Sequence, residues 1–446
     1  MHLIWENLIK NLILLWTGEF KGLDTGSGDY ELAKAVWEAI GSLTASASDT
    51  IPSAYGSRVP NIAKDRSTVS AEMWSFWTLY LGPVLLRQRF QNQKYYRHFI
   101  QLVRLLTICL QFEILDEEIE EVRVGFIDWV RVYEEMYFQH DPERLSTCPL
   151  TIHALLHVAP SITFTGPVWC YWAFPMERFC GSIQPGIRSR RFPWASMDRY
   201  VFELAQLTQI KVIYNVGKEL ALRDPPAEVQ GSFSHASYPS CILLPPKSPV
   251  RPSESQVRTI AAALSTRSGG TMAQVNAALK AALVEEWGKV RRVDSDEGDT
   301  MRSCTVGTIA EDARDATFVR YEMLVDKNAR RKKVAPEFEL QTFYGQLEHI
   351  YRVYFDDAVP TLDIEGPTTY LFAAIRVCRL KPMPKDLQAQ SLDINFYSGL
   401  GELDVIDITS VQSLIGRVPT TGGQWATIDR SGGLARAVWA GDQLAR

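Results

Sequence analysis

Residues 166–191 read GPVWCYWAFPMERFCGSIQPGIRSRR. Thr163 to Tyr171, with Thr163, Phe164, Val168, Trp169 and Tyr171, is β-prone. Pro175 suits the first turn of a following helix that carries Met176, Glu177, Arg178 and Phe179. Arg188, Arg190 and Arg191 then form a basic loop. Strand, proline-started helix and basic loop together would present the Glu177 carboxylate at a sheet edge, where it can meet a metal. The simpler alternative is a carboxylate at the positive end of its own helix, or one paired with Arg178 or Arg188.

Working toward the N-terminus, Thr151 to Ala159 reads as a short helix. Asp116 can cap a helix whose Ile119, Val122, Phe126, Trp129, Val130, Tyr133 and Tyr137 recur at spacings of three and four. The acidic run Glu117, Glu118, Glu120, Glu121 favours the positive end of that helix dipole. Tyr95 to Leu115 is a strongly apolar helix, and Ser70 can cap one carrying Met73, Trp74 and Trp77. Residues 22–68 are weaker, with a short helix expected over Tyr30–Ile40. Leu3 to Trp16 has one apolar helical face.

Toward the C-terminus, residues 223–300 mix Pro, Ser and Ala and read as a linker with helical pieces, one over Met272–Trp287. From residue 301 the chain is β-rich. Phe343–Phe355 alternates and slips phase near Ile350, as a bulge would produce. Tyr370–Val377, Val405–Val411, Leu414–Val418 and Trp425–Ile428 are further strands, and Pro419–Gly423 is a turn. Such short strands predict a small barrel or sandwich.

The chain has 446 residues, 46% apolar and 22% charged, which fits two to four folding units and excludes a wholly disordered chain. Lys+Arg total 47 and Asp+Glu 52, so the net charge of −5 excludes a uniformly basic nucleic-acid binder but allows local basic patches. Besides Arg188, Arg190 and Arg191, the run Arg330, Arg331, Lys332, Lys333 is such a patch; it can contact phosphate, act as a nuclear-import signal or be a solvated loop. The seven scattered cysteines form no C-x-x-C pair, which argues for a reducing compartment. No segment reads as a membrane span or a secretory signal, so the chain is expected not to be secreted.

Phosphate-loop, G-x-G-x-x-G, G-x-S-x-G and H-E-x-x-H motifs are absent. His153 and His157, four apart with Cys148 nearby, have a spacing that can hold zinc. Beside Leu155, Leu156 and Val158 they read more simply as satisfied core histidines.

The segment WCYWAFPMERFCGSIQPGIRSR resembles the catalytic-glutamate region of CACTA-type (En/Spm-like) transposases, Y-x-W-x-[FY]-P-x-E-R-x-x-G. Tyr171, Trp172, Phe174, Pro175, Glu177, Arg178 and Gly181 supply the similar residues, with Tyr171 and Trp172 adjacent rather than spaced. MHLIWENLIKNLILLW resembles the helix after the family's second catalytic aspartate, where Met1 and His2 match the end of an Asp-x-x-His signature. CPLTIHALLHVAPSI, FYGQLEHIYRVYF and LDVIDITSVQSLIGRV are similar to stretches of fungal members. The resemblance spans nearly the whole chain and is weakest over 223–300.

The resemblance implies an α+β protein. A large helical insertion (1–162) would precede the truncated strand–helix end of an RNase H-like domain (163–222), a linker (223–300) and a β-rich C-terminal barrel or sandwich (301–446). Glu177 would be the metal-binding glutamate of a DDE triad that holds two magnesium ions for DNA cleavage and strand transfer. Both catalytic aspartates would lie upstream of Met1. Asp198, Glu203, Asp404 and Asp407 match no family position and read as surface or strand-end carboxylates. With one triad carboxylate, the chain alone is expected to be catalytically incomplete and without magnesium. Its implied partners are DNA and a second copy or complementing transposase subunit, not a membrane; its location is the nucleus, or the cytoplasm before import. The alternative is a non-catalytic nuclear module that binds DNA or protein. The apolar faces of Leu3–Trp16 and Thr163–Tyr171 are expected to lie open and favour self-association.

Overall fold

The computed structural model describes residues 2–434 apart from 24–27, 218, 222–228, 250, 269, 294–298, 306–313, 330–333, 389–391, 393, 421 and 431–433. The basic run Arg330, Arg331, Lys332, Lys333 therefore lies outside the described residues. The architecture is mixed helix and strand, with a curled antiparallel half-barrel sheet.

The N-terminal apolar stripe starts as a π-helix over His2–Leu8 and continues as α1 (Ile9–Trp16). Its face does not lie open: Trp5, Leu8, Ile9, Leu12, Ile13, Leu15 and Trp16 are all buried, because the helices that follow wrap around it. These are α2 (Lys34–Ala47), α3 (Ala71–Phe76), α4 (Gly82–Leu85), α5 (Gln93–Cys109) and α6 (Asp116–Tyr133). Ser70 caps α3 by accepting from the Met73 amide at 3.3 Å, and Asn92 caps α5 by accepting from the Lys94 amide at 3.0 Å. Asp116 is the first helical residue rather than the cap. The Glu118 carboxylate instead accepts from the Leu115 amide at 2.9 Å.

At the centre of this body, the His98 ring stacks on Trp129 with centroids 4.3 Å apart. His98 Nε2 donates to the Trp129 carbonyl at 3.0 Å, and Trp129 Nε1 donates to the His98 carbonyl at 2.9 Å. Both residues are buried, and burial pulls the His98 pKa down to about 4.

Four helices follow: α7 (Leu150–His153), α8 (Val158–Thr165), α9 (Phe174–Ile183) and α10 (Pro193–Ile213). The strand expected over Thr163–Tyr171 is not formed. Those residues are the end of α8, Gly166 at φ 87° and a single 3-10 turn over Val168–Cys170. Aromatic packing overrides β-propensity here. Trp169 docks on the α5–α6 corner by donating Nε1 to the Phe112 carbonyl at 3.1 Å, with the two rings 5.7 Å apart.

The stretch expected to be a linker belongs in part to the sheet. Within 223–300 lie β1 (Cys241–Pro249), α11 (Glu254–Ser268), α12 (Met272–Leu279) and β2 (Leu283–Arg292). The helix expected over Met272–Trp287 ends eight residues early, since Val284, Trp287 and Val290 are buried in a strand paired with β1 and β5. The remaining strands are β3 (Thr300–Arg302), β4 (Phe318–Asp326), β5 (Phe338–Phe355), β6 (Thr368–Lys381), β7 (Phe396–Asp407), β8 (Val411–Leu414), β9 (Gly416–Pro419) and β10 (Trp425–Ile428). The sheet runs β1-β2-β5-β6-β7-β10-β9. β3 adds to β2, and β4 links β5 to β8.

β5 is the long strand on which the sheet curls. Its first half pairs with β4 and its second half with β2, while β6 runs along its other edge. The phase slip near Ile350 is a bulge between Leu347 and His349. Glu348, the extra residue, holds Arg376 through two hydrogen bonds of 2.6 and 2.9 Å. β6 is apolar from Tyr370 to Ile375 because Leu371–Ile375 are buried on both faces. Leu371, Ala373 and Ile375 point into the half-barrel, whereas Phe372 and Ala374 lie under α11 and α12. The core of the helical body continues onto Phe396, Val418, Ala426 and Ile428, so helices and sheet share one interior.

His98 sets a pH dependence of stability. Its folded pKa is depressed, so the unfolded chain takes up a proton first as pH falls through the ordinary histidine value of 6.5. Stability contributed by keeping the ring neutral is therefore intact above pH 7 and lost between about pH 6.5 and 4. Replacing His98 by Phe keeps the stack and removes the titration. Urea unfolding at pH 7 and pH 5 is expected to show wild type losing about 2 kcal/mol more than His98→Phe.

Candidate functional site

α9 begins at Phe174, with Pro175 in its first turn, and the Glu177 amide donates to the Ala173 carbonyl at 3.0 Å. Proline fixes the first helical φ, and its missing N–H is no loss at a helix start. Glu177 thus stands in the first turn with its side chain 48% exposed. The residue it meets is His2, 175 positions earlier, whose Nε2 lies 2.9 Å from Glu177 Oε1. The other ring nitrogen of His2, Nδ1, lies 2.5 Å from Glu6 Oε2. Ionised carboxylates only accept, so the bridge is complete when both ring nitrogens carry protons.

What fixes α9 against the N-terminal helix is aromatic packing that the sequence reading did not single out. Trp172 and Phe174 lie edge to face at 5.2 Å, pack against the core of the helical body and, with Trp5, Tyr55, Phe76 and Leu110, wall an apolar groove. At one side of this groove, half-buried Glu72 faces Arg178. Burial raises the Glu72 pKa and the Arg178 charge lowers it, with burial the larger effect. Gly56, whose Cα side faces Glu72, has a φ of 104°, a backbone conformation that favours glycine. The available signal was the aromatic content of 169–174, which serves docking here.

The other predicted residues divide. Arg188, Arg190 and Arg191 are exposed on the loop between α9 and α10, and Arg191 lies over the Phe192 ring at 5.3 Å. Gly181 has open space where a Cβ would go, so packing does not demand glycine there. His153 and His157 are exposed rather than core residues, and satisfy each other with Nε2 atoms 3.1 Å apart. Glu203 pairs with Arg199 at 2.7 Å. Asp407 accepts from the Thr409 amide at 3.0 Å, and burial raises the Asp404 pKa. All seven cysteines are free thiols. Among the described residues, no three His, Cys, Asp or Glu side chains converge as a metal-holding group, and no helix is long and apolar enough to cross a membrane.

No protein-family model, curated protein or solved structure matches this chain. The site's meaning is therefore carried by its geometry.

If Trp172 holds α9 in place, Trp172→Ala is expected to free that helix without unfolding the body. Hydrogen exchange should speed up at least tenfold over 177–183 and stay unchanged in α5. Equal loss of protection in both would assign Trp172 to the global core.

Proposed function

We propose that this protein is the glutamate-bearing C-terminal part of a CACTA-like DDE transposase, whose ancestral activity is metal-dependent DNA cleavage and strand transfer in the nucleus. The supporting observation is the 2.9 Å contact between His2 and Glu177. These are the two residues that the resemblance assigns to one site, and they lie far apart in the sequence. A triad carboxylate must also face solvent, where DNA can reach it, and Glu177 does. On this reading α1–α8 correspond to the helical insertion, α9 and α10 to the end of the RNase H-like domain, and the half-barrel to a C-terminal module.

Magnesium does not fit the residues described here. Two divalent ions beside an anionic backbone call for several carboxylates, whereas Glu177 is joined by a histidine whose nitrogens are both engaged. On this reading the chain by itself is catalytically incomplete.

A second reading, a non-catalytic module that binds protein, is favoured by α10. It has no buried residue, and Trp194, Phe202, Ile210 and Ile213 are exposed on it. Several large apolar side chains exposed along one helix mark an interaction surface.

The coding DNA 5′ of the Met1 codon and a nicking assay test the leading reading together. An in-frame aspartate is expected two residues before Met1. A chain extended far enough to carry both upstream aspartates should nick supercoiled DNA in magnesium, and Glu177→Gln should abolish the nicking. Unrelated sequence at that place, or nicking that survives the substitution, overturns the reading.

A further inference from the structure

Two stretches of this acidic protein contain no carboxylate at all. Between Glu72 and Glu113 the charged side chains are Arg87, Arg89, Lys94, Arg97 and Arg104; between Glu365 and Asp386 they are Arg376, Arg379, Lys381 and Lys385. The fold brings the two stretches together. The turn after α4 meets the end of β6 at the seam between helices and sheet, where Arg87 pairs with Asp386 at 2.9 Å.

A depression lies on each side of that ion pair. One, of about 260 Å³, is lined by Arg87, Arg89 and Lys381 with the neutral side-chain amides of Gln88 and Gln424. The other, of about 350 Å³, is lined by Lys94, Arg97 and Gln101 and is closed by the same Asp386. Asp386 is the only acid lining either, and it is already held by Arg87. Lys94 has a further acid at 3.4 Å in Asp29. Arg89, Arg97 and Lys381 have no carboxylate partner among the described residues. Five cations thus face two acids. Gln88 takes a left-handed φ of 59°, which turns the chain sharply between Arg87 and Arg89.

We infer that this seam is a nucleic-acid backbone site, with phosphates seated in the two depressions on either side of the Arg87–Asp386 pair. Guanidinium and ammonium groups with surplus charge, beside neutral amide donors, match phosphodiester oxygens and sugar rather than an acidic protein helix. The polar groups of the seam, beside the apolar Ile100, Val132 and Met136 of the second depression, are mainly cations and neutral donors, so the site reads backbone and not base sequence. The inference stands on these cations and not on Glu177.

The test is fluorescence anisotropy of the full chain with a 20-mer duplex between 50 and 200 mM KCl. Arg89→Ala with Lys381→Ala is expected to weaken binding about tenfold and to lower the salt slope by about two. Arg89→Lys with Lys381→Arg should retain binding, and an unchanged melting temperature in both shows that the fold is intact. Unaltered duplex binding in the double alanine variant overturns the inference. So does loss of binding only in Arg188→Ala/Arg190→Ala/Arg191→Ala, a result that leaves the transposase reading in place. AMP binding as tightly as the duplex would make this a small-anion site and also overturn the assignment.

Discussion

Asp299 ties the molecule together. It is buried, and it is used from three sides. Oδ1 lies 3.2 Å from Arg430, Oδ2 accepts from the Leu414 amide at 2.9 Å, and its carbonyl accepts from the Arg292 amide at 3.0 Å. Buried Arg292 in turn donates to the carbonyls of Thr409 and Val411 at 3.1 and 2.9 Å. The Arg430 guanidinium covers the ring of Tyr55, which belongs to the helical body and donates to the Ile428 carbonyl at 2.8 Å. Removing either partner of a buried charge pair leaves the other uncompensated, so this network favours one arrangement of helices on sheet. The α9 site and the basic seam both inherit their geometry from that arrangement.

The sequence was legible where local and tertiary forces agree. The cap Ser70, the apolar stripe of Leu3–Trp16 and the proline start of α9 all act within a turn or two of themselves. β10 falls on the expected Trp425–Ile428, and the bulge near Ile350 is present. Illegible were elements whose reason is long-range. β1 carries Pro245 and Pro246, and β4 carries Arg320 and Glu322 among its apolar residues, so their strand character comes from pairing with β2 and β5. Thr163–Tyr171 failed in the opposite direction, since its aromatics are committed to a helical corner.

The candidate site divides along the same line. Glu177 in a first turn could be read from Pro175 alone, but its approach to His2 depends on Trp172 and Phe174 packing against distant helices. The basic seam is invisible along the chain because Arg87 and Asp386 are 299 residues apart. What the sequence does carry is Arg87, Arg89, Lys94, Arg97 and Arg104 in one carboxylate-free stretch, 73–112, of a chain of net −5.

The functional account rests on His2 lying against Glu177. The most direct measurement is a crosslink: His2→Cys with Glu177→Cys under mild oxidation, read by mass spectrometry of the peptides. The account predicts a disulfide between positions 2 and 177 as the main new product. Its absence, with position 177 pairing instead to the exposed Cys170 or Cys180, would contradict the site.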